Sequence, residues 1–251
     1  MSLLAAAFVC GVALLTATLS GVFGMAGGLV LMGALALVQP VTAAFVTHGV
    51  LQLAANGWRA VLHREHVRWP IIGWYALASL VAGLVVLALS VVPSRPVLYL
   101  MLGLVPLLVW LPAKAMALDA ERPGHAFLAG GLVTGLNLLA GVAGPLLDVF
   151  FVRTALTRHA IVATKAATQV FSHLAKIVVY GGPLLGDATA AGELPSPWLF
   201  AVAIPLSMVG TALGGRILDR MTDVDFKRWT RLLVTGIGVV YLVKALSLWS
   251  A

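Results

Sequence analysis

The chain has 251 residues, 61% of them hydrophobic and only 10% charged, with a mean hydropathy of +1.04. Soluble domains carry about 25% charged residues, so this composition excludes one and indicates an integral membrane protein. The net charge of +7 would suggest a nucleic-acid partner in a soluble protein, but most Lys and Arg lie in short loops between apolar runs, a pattern that reads as membrane orientation and leaves no nucleic acid to bind.

Apolar runs of spanning length occur at 3–23, 41–62, 70–92, 97–117, 126–139, 160–180, 198–218 and 232–249. They predict an all-α integral membrane protein with about eight transmembrane helices. No Lys or Arg precedes the first run, which argues against a cleavable signal peptide and makes that run the first span. Two shorter apolar pieces, 29–39 and 145–151, each follow a glycine cluster and read as half-helices inside the protein. The longest polar stretch, 181–197, is too short to separate domains, so a single transmembrane domain over 1–251 is expected. Cys10 is the only cysteine, which excludes an intramolecular disulfide and a Cys-based metal site.

Residues 24–59 and 141–176 are one segment written twice, without a gap, at a constant separation of 117 positions. Gly24, Ala26 and Gly27 precede Thr47, His48, Gln52, Asn56 and Arg59; Gly141, Ala143 and Gly144 precede Thr164, Lys165, Gln169, His173 and Lys176. Positions i, i+4, i+8 and i+11 fall within an arc of roughly 80° on one helix face and climb about 16 Å, half a bilayer core. Each copy therefore carries one polar stripe beside one glycine break, and the chain divides into a repeat over about 1–117 and another over about 125–251.

The cations orient these repeats. His63, Arg64 and Arg68, then Lys114 and Arg122, then Arg153 and Arg158, and finally Arg216, Arg220, Lys227, Arg228 and Arg231 mark cytoplasmic loops. The stretch 181–197 holds Asp187 and Glu193 but no cation and belongs outside. The first stripe helix then runs inward and the second outward, so the two repeats are inverted and both termini lie outside.

The glycine breaks are the first candidate site elements. Gly24, Gly27 and Gly28, with Gly141 and Gly144 in the second copy, let the backbone open its hydrogen-bonding groups and let another group approach closely. Pro145 directly follows Gly144, and proline is favoured at the first position of a helix. The junction reads as a half-helix N-terminus within the membrane, whose unpaired N–H groups and partial positive charge suit an anion. Tight helix packing is the simpler explanation for one such cluster; a duplicated cluster in register favours a site.

Charge balance supports the same reading. A charge at the bilayer centre costs on the order of 3 kcal/mol, so Arg59, Lys165 and Lys176 must face protein, water or, near helix ends, the interface. Among the nine acidic residues only Asp148 lies in a candidate membrane segment, where it can neutralise one cation, Arg153 being another partner within reach. An anionic substrate would supply the missing charge. Gln52 and Gln169, at equivalent positions, are expected to contact it, with Thr47, Asn56 and Thr164 beside them. His48, Lys165 or His173 would supply positive charge, and either histidine could carry a coupling proton.

Other features have simpler explanations. His63 and His66 beside Glu65 read as a solvated loop rather than a metal centre, and Trp58, Trp69, Trp74, Trp198, Trp229 and Trp249 read as interfacial anchors. No nucleophile constellation or phosphate-binding loop is present, so neither an enzyme nor a cofactor is expected.

The run Gly21-Val-Phe-Gly-Met-Ala-Gly-Gly28, the run Gly135-Leu-Asn-Leu-Leu-Ala-Gly-Val-Ala-Gly-Pro145, and the Ala-rich helix starts with Thr47 and Thr164 together resemble the TauE/SafE sulfite-exporter family, also called TSUP. The resemblance spans nearly the whole chain. It implies a multi-pass carrier of sulfite, sulfonates or related small organic or sulfur-containing anions in the bacterial inner membrane. Its partners would be the small anionic substrate and the lipid bilayer, with proton coupling and a homodimer left open. An anion channel and a non-transport membrane subunit are the alternatives.

Overall fold

The computed structural model describes residues 2–23, 26–111, 118–186, 194–221 and 223–250. Their long elements are all helical: α1 Leu3–Phe23, α2 Ala26–Val38, α3 Val41–Leu62, α4 Trp69–Leu89, α5 Arg95–Leu104, α6 Pro123–Ala140, α7 Gly144–Phe151, α8 Arg158–Gly186, α9 Pro197–Leu218 and α10 Asp223–Trp249. Short 3-10 turns cover Arg64–His66 and Val105–Trp110. Gly24, Lys114, Asp187 and Glu193, each used in the sequence reading, lie outside the described residues.

Among the described residues, four helical segments are long and apolar enough to cross a membrane: Leu3–Phe23, Trp69–Leu89, Pro197–Leu218 and Trp229–Trp249. They present large apolar side chains outward, such as Leu80, Leu84 and Val85 on α4 and Val239, Val240 and Val243 on α10. Outward-facing hydrophobic belts on several helices are what a multi-pass membrane protein offers to acyl chains. The stripe helices α3 and α8 do not meet the same standard because they carry polar residues; they pack against each other in the interior.

Two expected boundaries are corrected. In the run expected at 97–117, whose residues 112–117 lie outside the described ones, the α-helix Arg95–Leu104 gives way to a 3-10 turn, because Pro106 has no N–H to give the α pattern. The expected outer loop at 181–197 begins later, since α8 continues through Gly181, Gly182 and Pro183 to Gly186. Membrane helices accommodate such a proline when neighbouring helices shelter the freed carbonyl.

The order of elements in α1 to α5 recurs in α6 to α10: a helix ending at a break, a short helix, a stripe helix and two more. Packing follows the same exchange. Helix α1 lies along α9, and α6 lies along α4; α4 touches α8 as α9 touches α3; α3 meets α8, and α5 meets α10. Glycines allow the closest approaches. A Cβ at Gly130 would strike the backbone of Tyr75, and one at Gly214 would strike the Thr18 carbonyl and Gly21. Small residues at such crossings are the usual way for membrane helices to gain close backbone contact.

Both short helices start inside this assembly. Gly141 ends α6 with a left-handed φ of 79°, a conformation glycine adopts without Cβ strain, and α7 begins three residues later with Pro145 in its first turn. Helix α2 runs back along α1, with Gly27 pressed on the Thr16 carbonyl and Ser20. A buried core containing Met32, Phe45, Leu98, Leu138 and Tyr180 fills the space on one side of the breaks.

Candidate functional site

On the other side of the breaks lies a cavity of about 820 Å³. Its walls come from both halves: Gly28 of the first break, Val142 to Pro145 of the second, the stripes of α3 and α8, and the ends of α1, α7 and α9. Leu108, Val109 and Leu111 and the Arg231 side chain close the remaining wall near the cation-rich ends of the helices.

Spacing on α3 and α8 brings the polar groups together. His48, Gln52, Asn56 and Arg59 line the cavity from α3, and Lys165, Gln169 and His173 line it from α8. The His48 and His173 rings approach edge to face at 5.6 Å. Asn56 donates from Nδ2 to the Gln52 backbone oxygen at 3.0 Å and to Gln52 Oε1 at 3.3 Å. With its carbonyl end engaged, Gln52 turns its amide nitrogen toward Gly28, where a Cβ would stand only 2.8 Å from it. The absence of a side chain at Gly28 is therefore what lets this amide reach the first break.

Several polar atoms around the cavity have no hydrogen-bond partner within the protein. They are Asn137 Nδ2 and Oδ1, Gln169 Nε2, His173 Nδ1 and Arg59 Nη2, all buried. Buried polar groups are normally satisfied, and leaving one unpaired costs about 1–3 kcal/mol. These orphans stand on α3, α6 and α8 around the cavity, where a polar ligand would satisfy them.

The electrostatics are cationic. Arg59, Lys165 and Arg231 line the cavity, and Asp148 is the single carboxylate among the described lining residues. Asp148 forms an ion pair with Lys165. That pairing neutralises one cation and leaves the guanidinium groups of Arg59 and Arg231 as the remaining lining cations. No group of three or more metal-ligating side chains occurs among the described residues.

The family model for sulfite exporter TauE/SafE matches residues 9–241 of the chain. The chain belongs to the TauE/SafE family. This is a family of membrane transporters associated with sulfite and related sulfur anions. No curated protein and no solved structure matches the chain.

In this TauE/SafE protein the cavity gathers Gly28, His48, Gln52, Asn56, Gly144, Lys165, Gln169 and His173. Gly27, Thr47, Gly141 and Thr164 stand off the cavity wall. Gly27 is consumed by packing on α1. Thr47 is fully buried next to the stripe and its hydroxyl has no partner. Thr164 Oγ1 accepts the backbone N–H of Arg68 at 3.0 Å and so ties the α3–α4 loop to α8. Both threonines sit one position before a stripe residue, which turns them about 100° away from the lining face. Gly141 contributes its carbonyl to Lys176. Of the environments left open to Lys176, the structure shows protein: the side chain is fully buried and bonded to the Gly141 carbonyl and His48.

Sequence reasoning missed the tyrosines that hold the short helix α2 and the end of α6. Tyr241 donates to Leu29 O at 3.0 Å, Tyr99 to Gly33 O at 2.8 Å, and Tyr180 to Leu138 O at 2.6 Å. The available signal was a lone hydroxyl-bearing ring within an otherwise apolar run, since a buried phenol needs a partner.

Proposed function

We propose that this TauE/SafE protein is a secondary transporter, in the exporting direction, for a small sulfur-containing anion such as sulfite or an organosulfonate, or for a related carboxylate. One observation carries the reading: unpartnered polar groups of both halves converge on a cavity whose described lining residues include three cations and one carboxylate. An oxyanion offers several acceptors to Arg59, Asn137, Gln52 and Gln169 and supplies the negative charge the site lacks. The N-terminus of α7 at Gly144 and Pro145 adds a favourable dipole.

Alternating access by two inverted repeats, in a single domain of about eight spans in the bacterial inner membrane, is the mechanism we infer. Support comes from the exchange of packing partners between the two halves and from the position of the cavity between them. The cation-rich ends at its mouth would face the cytoplasm. Beyond His48 the path meets Phe45, Leu98, Leu138 and Tyr180, none more than 2% exposed, which favours a carrier over an open channel.

The test is uptake of labelled sulfite and of sulfoacetate into proteoliposomes. Replacing Gln52 and Gln169 together by Leu should abolish flux while the protein still inserts and elutes as a single species. Flux equal to that of the unsubstituted protein would reject the site.

A further inference from the structure

Lys176 is the repeat equivalent of Arg59, separated by the same 117 positions that relate the rest of the stripe. The two cations occupy opposite environments. Arg59 lines the cavity with one guanidinium nitrogen unpartnered. Lys176 is fully buried on the far side of His48, where its ammonium lies 5.4 Å from the centre of the Phe45 ring.

The contacts of Lys176 reach both breaks. Its Nζ donates to the Gly141 carbonyl at 2.6 Å and lies 3.1 Å from His48 Nδ1. His48 Nε2 lies 3.0 Å from the Gly28 carbonyl. A carbonyl can only accept, so Nε2 carries the hydrogen, and Nδ1 accepts from the lysine. A single chain of hydrogen bonds thus joins α8, α3, the start of α2 and the end of α6. It also occupies both nitrogens of His48, which makes that ring a bracket between the breaks rather than a donor to the cavity.

We propose that Lys176 is the latch that closes the pathway on the side opposite the cavity, and that it exchanges roles with Arg59 when access switches. This inference rests on the alternating-access reading and assigns it a specific positioning residue. In the other state Arg59 is enclosed by the repeat counterpart of the packing that now surrounds Lys176. The Lys176 ammonium, freed from Gly141 and His48, then faces a cavity opened from the far side. A latch made of one cation on two acceptors suits the task, because an oxyanion arriving from that side can take over the ammonium's hydrogen bonds.

Thiol accessibility in oriented vesicles tests this. In a background with Cys10→Ser, Val152→Cys reports on the cavity, whose wall Val152 joins, and Val179→Cys reports on the closed side, where Val179 is buried one turn beyond Lys176. An impermeant thiosulfonate reagent is applied to either face, with sulfoacetate as the probe because sulfite itself attacks the reagent. Sulfoacetate supplied on the far face should speed labelling of Val179→Cys from that face and slow labelling of Val152→Cys from the other. Adding Lys176→Met should speed labelling of Val179→Cys about tenfold without any substrate, a shift that a modest change in the closed population produces. Lys176→Arg, which keeps a donor, should restore protection.

Labelling of the two sites that rises and falls together, or no change at Val179→Cys under any condition, would overturn the latch. If Lys176→Met fails to fold, Lys176→Gln, which keeps a polar donor but no charge, takes its place, and unchanged protection of Val179→Cys in that variant would overturn the latch. No flux of sulfite or sulfoacetate through the unsubstituted protein would remove the transport assignment, flux without reciprocal labelling would remove alternating access and the latch with it, and reciprocal labelling that Lys176→Met leaves unchanged would remove the latch alone.

Discussion

Lys165 and Asp148 form an ion pair across the cavity, joining the first turns of α8 to the short helix α7. Breaking it from its two ends should have opposite consequences. Asp148→Asn leaves Lys165 free for the anion, and affinity should rise about tenfold; Lys165→Met leaves a carboxylate facing the anion, and affinity should fall by a similar factor. Ligand-dependent thermal shifts with sulfoacetate measure both. Equal shifts in the same direction would show that the anion does not sense this pair.

Asn137 is buried and neither of its side-chain polar atoms has a protein partner. Replacing it with the similarly sized Leu removes two unsatisfied atoms, so the unliganded protein should gain about 1–3 kcal/mol while losing its response to anions. A melting temperature that rises as the anion-dependent shift disappears would show a group retained for binding at a cost in stability. A lower melting temperature would show that Asn137 supports the fold instead.

The helix crossings should be intolerant of bulk. Gly130→Val and Gly214→Val each force a side chain into a neighbouring backbone and should destabilise by about 1–3 kcal/mol or prevent assembly. Gly131 and Gly135 have nothing within 4 Å of an added Cβ, and Ala at either should leave the melting temperature nearly unchanged. Comparable losses at all four positions would mean that helix flexibility, not contact, is what these glycines provide.

At the cation-rich end, burial holds the His63 pKa below its ordinary value of 6.5, and the charges of His159, Arg59 and His66 push it the same way against a weaker upward pull from Asp219. The unfolded chain therefore binds a proton here more readily than the folded one. Stability from this group is complete above the unfolded value and is lost as pH falls from there through the folded value. Melting temperatures should decline on acidification from about pH 7 to about pH 5, and His63→Gln should flatten part of that decline. An unchanged slope in the variant would assign it to other groups.

Helix α3 ends where the sequence reading put it because its boundary signals are local: Pro40 just before it and the polar, charged His63 to His66 segment just after. Helix α8 outran its expected end because Gly181 and Pro183 stop helices in water more strictly than between packed membrane helices. The same difference explains Lys176. Read as near a helix end, it sits mid-helix with its charge directed inward, and only the fold reveals the carbonyl and imidazole that receive it. The gathering of Gln52, Gln169, His48 and His173 was legible because a period of four residues keeps side chains on one face. The standing of Thr47 and Thr164 off that face follows from the same geometry, but repeat matching alone weighs every identical position equally.

The burial of both striped helices against each other has a consequence for biosynthesis. Until α8 emerges from the ribosome, roughly a hundred residues after α3, the imidazole and amides of α3 have only α2 and one another for protein partners and lack the helix that covers their face in the folded protein. The interior of the first half is thus completed only when the second half arrives.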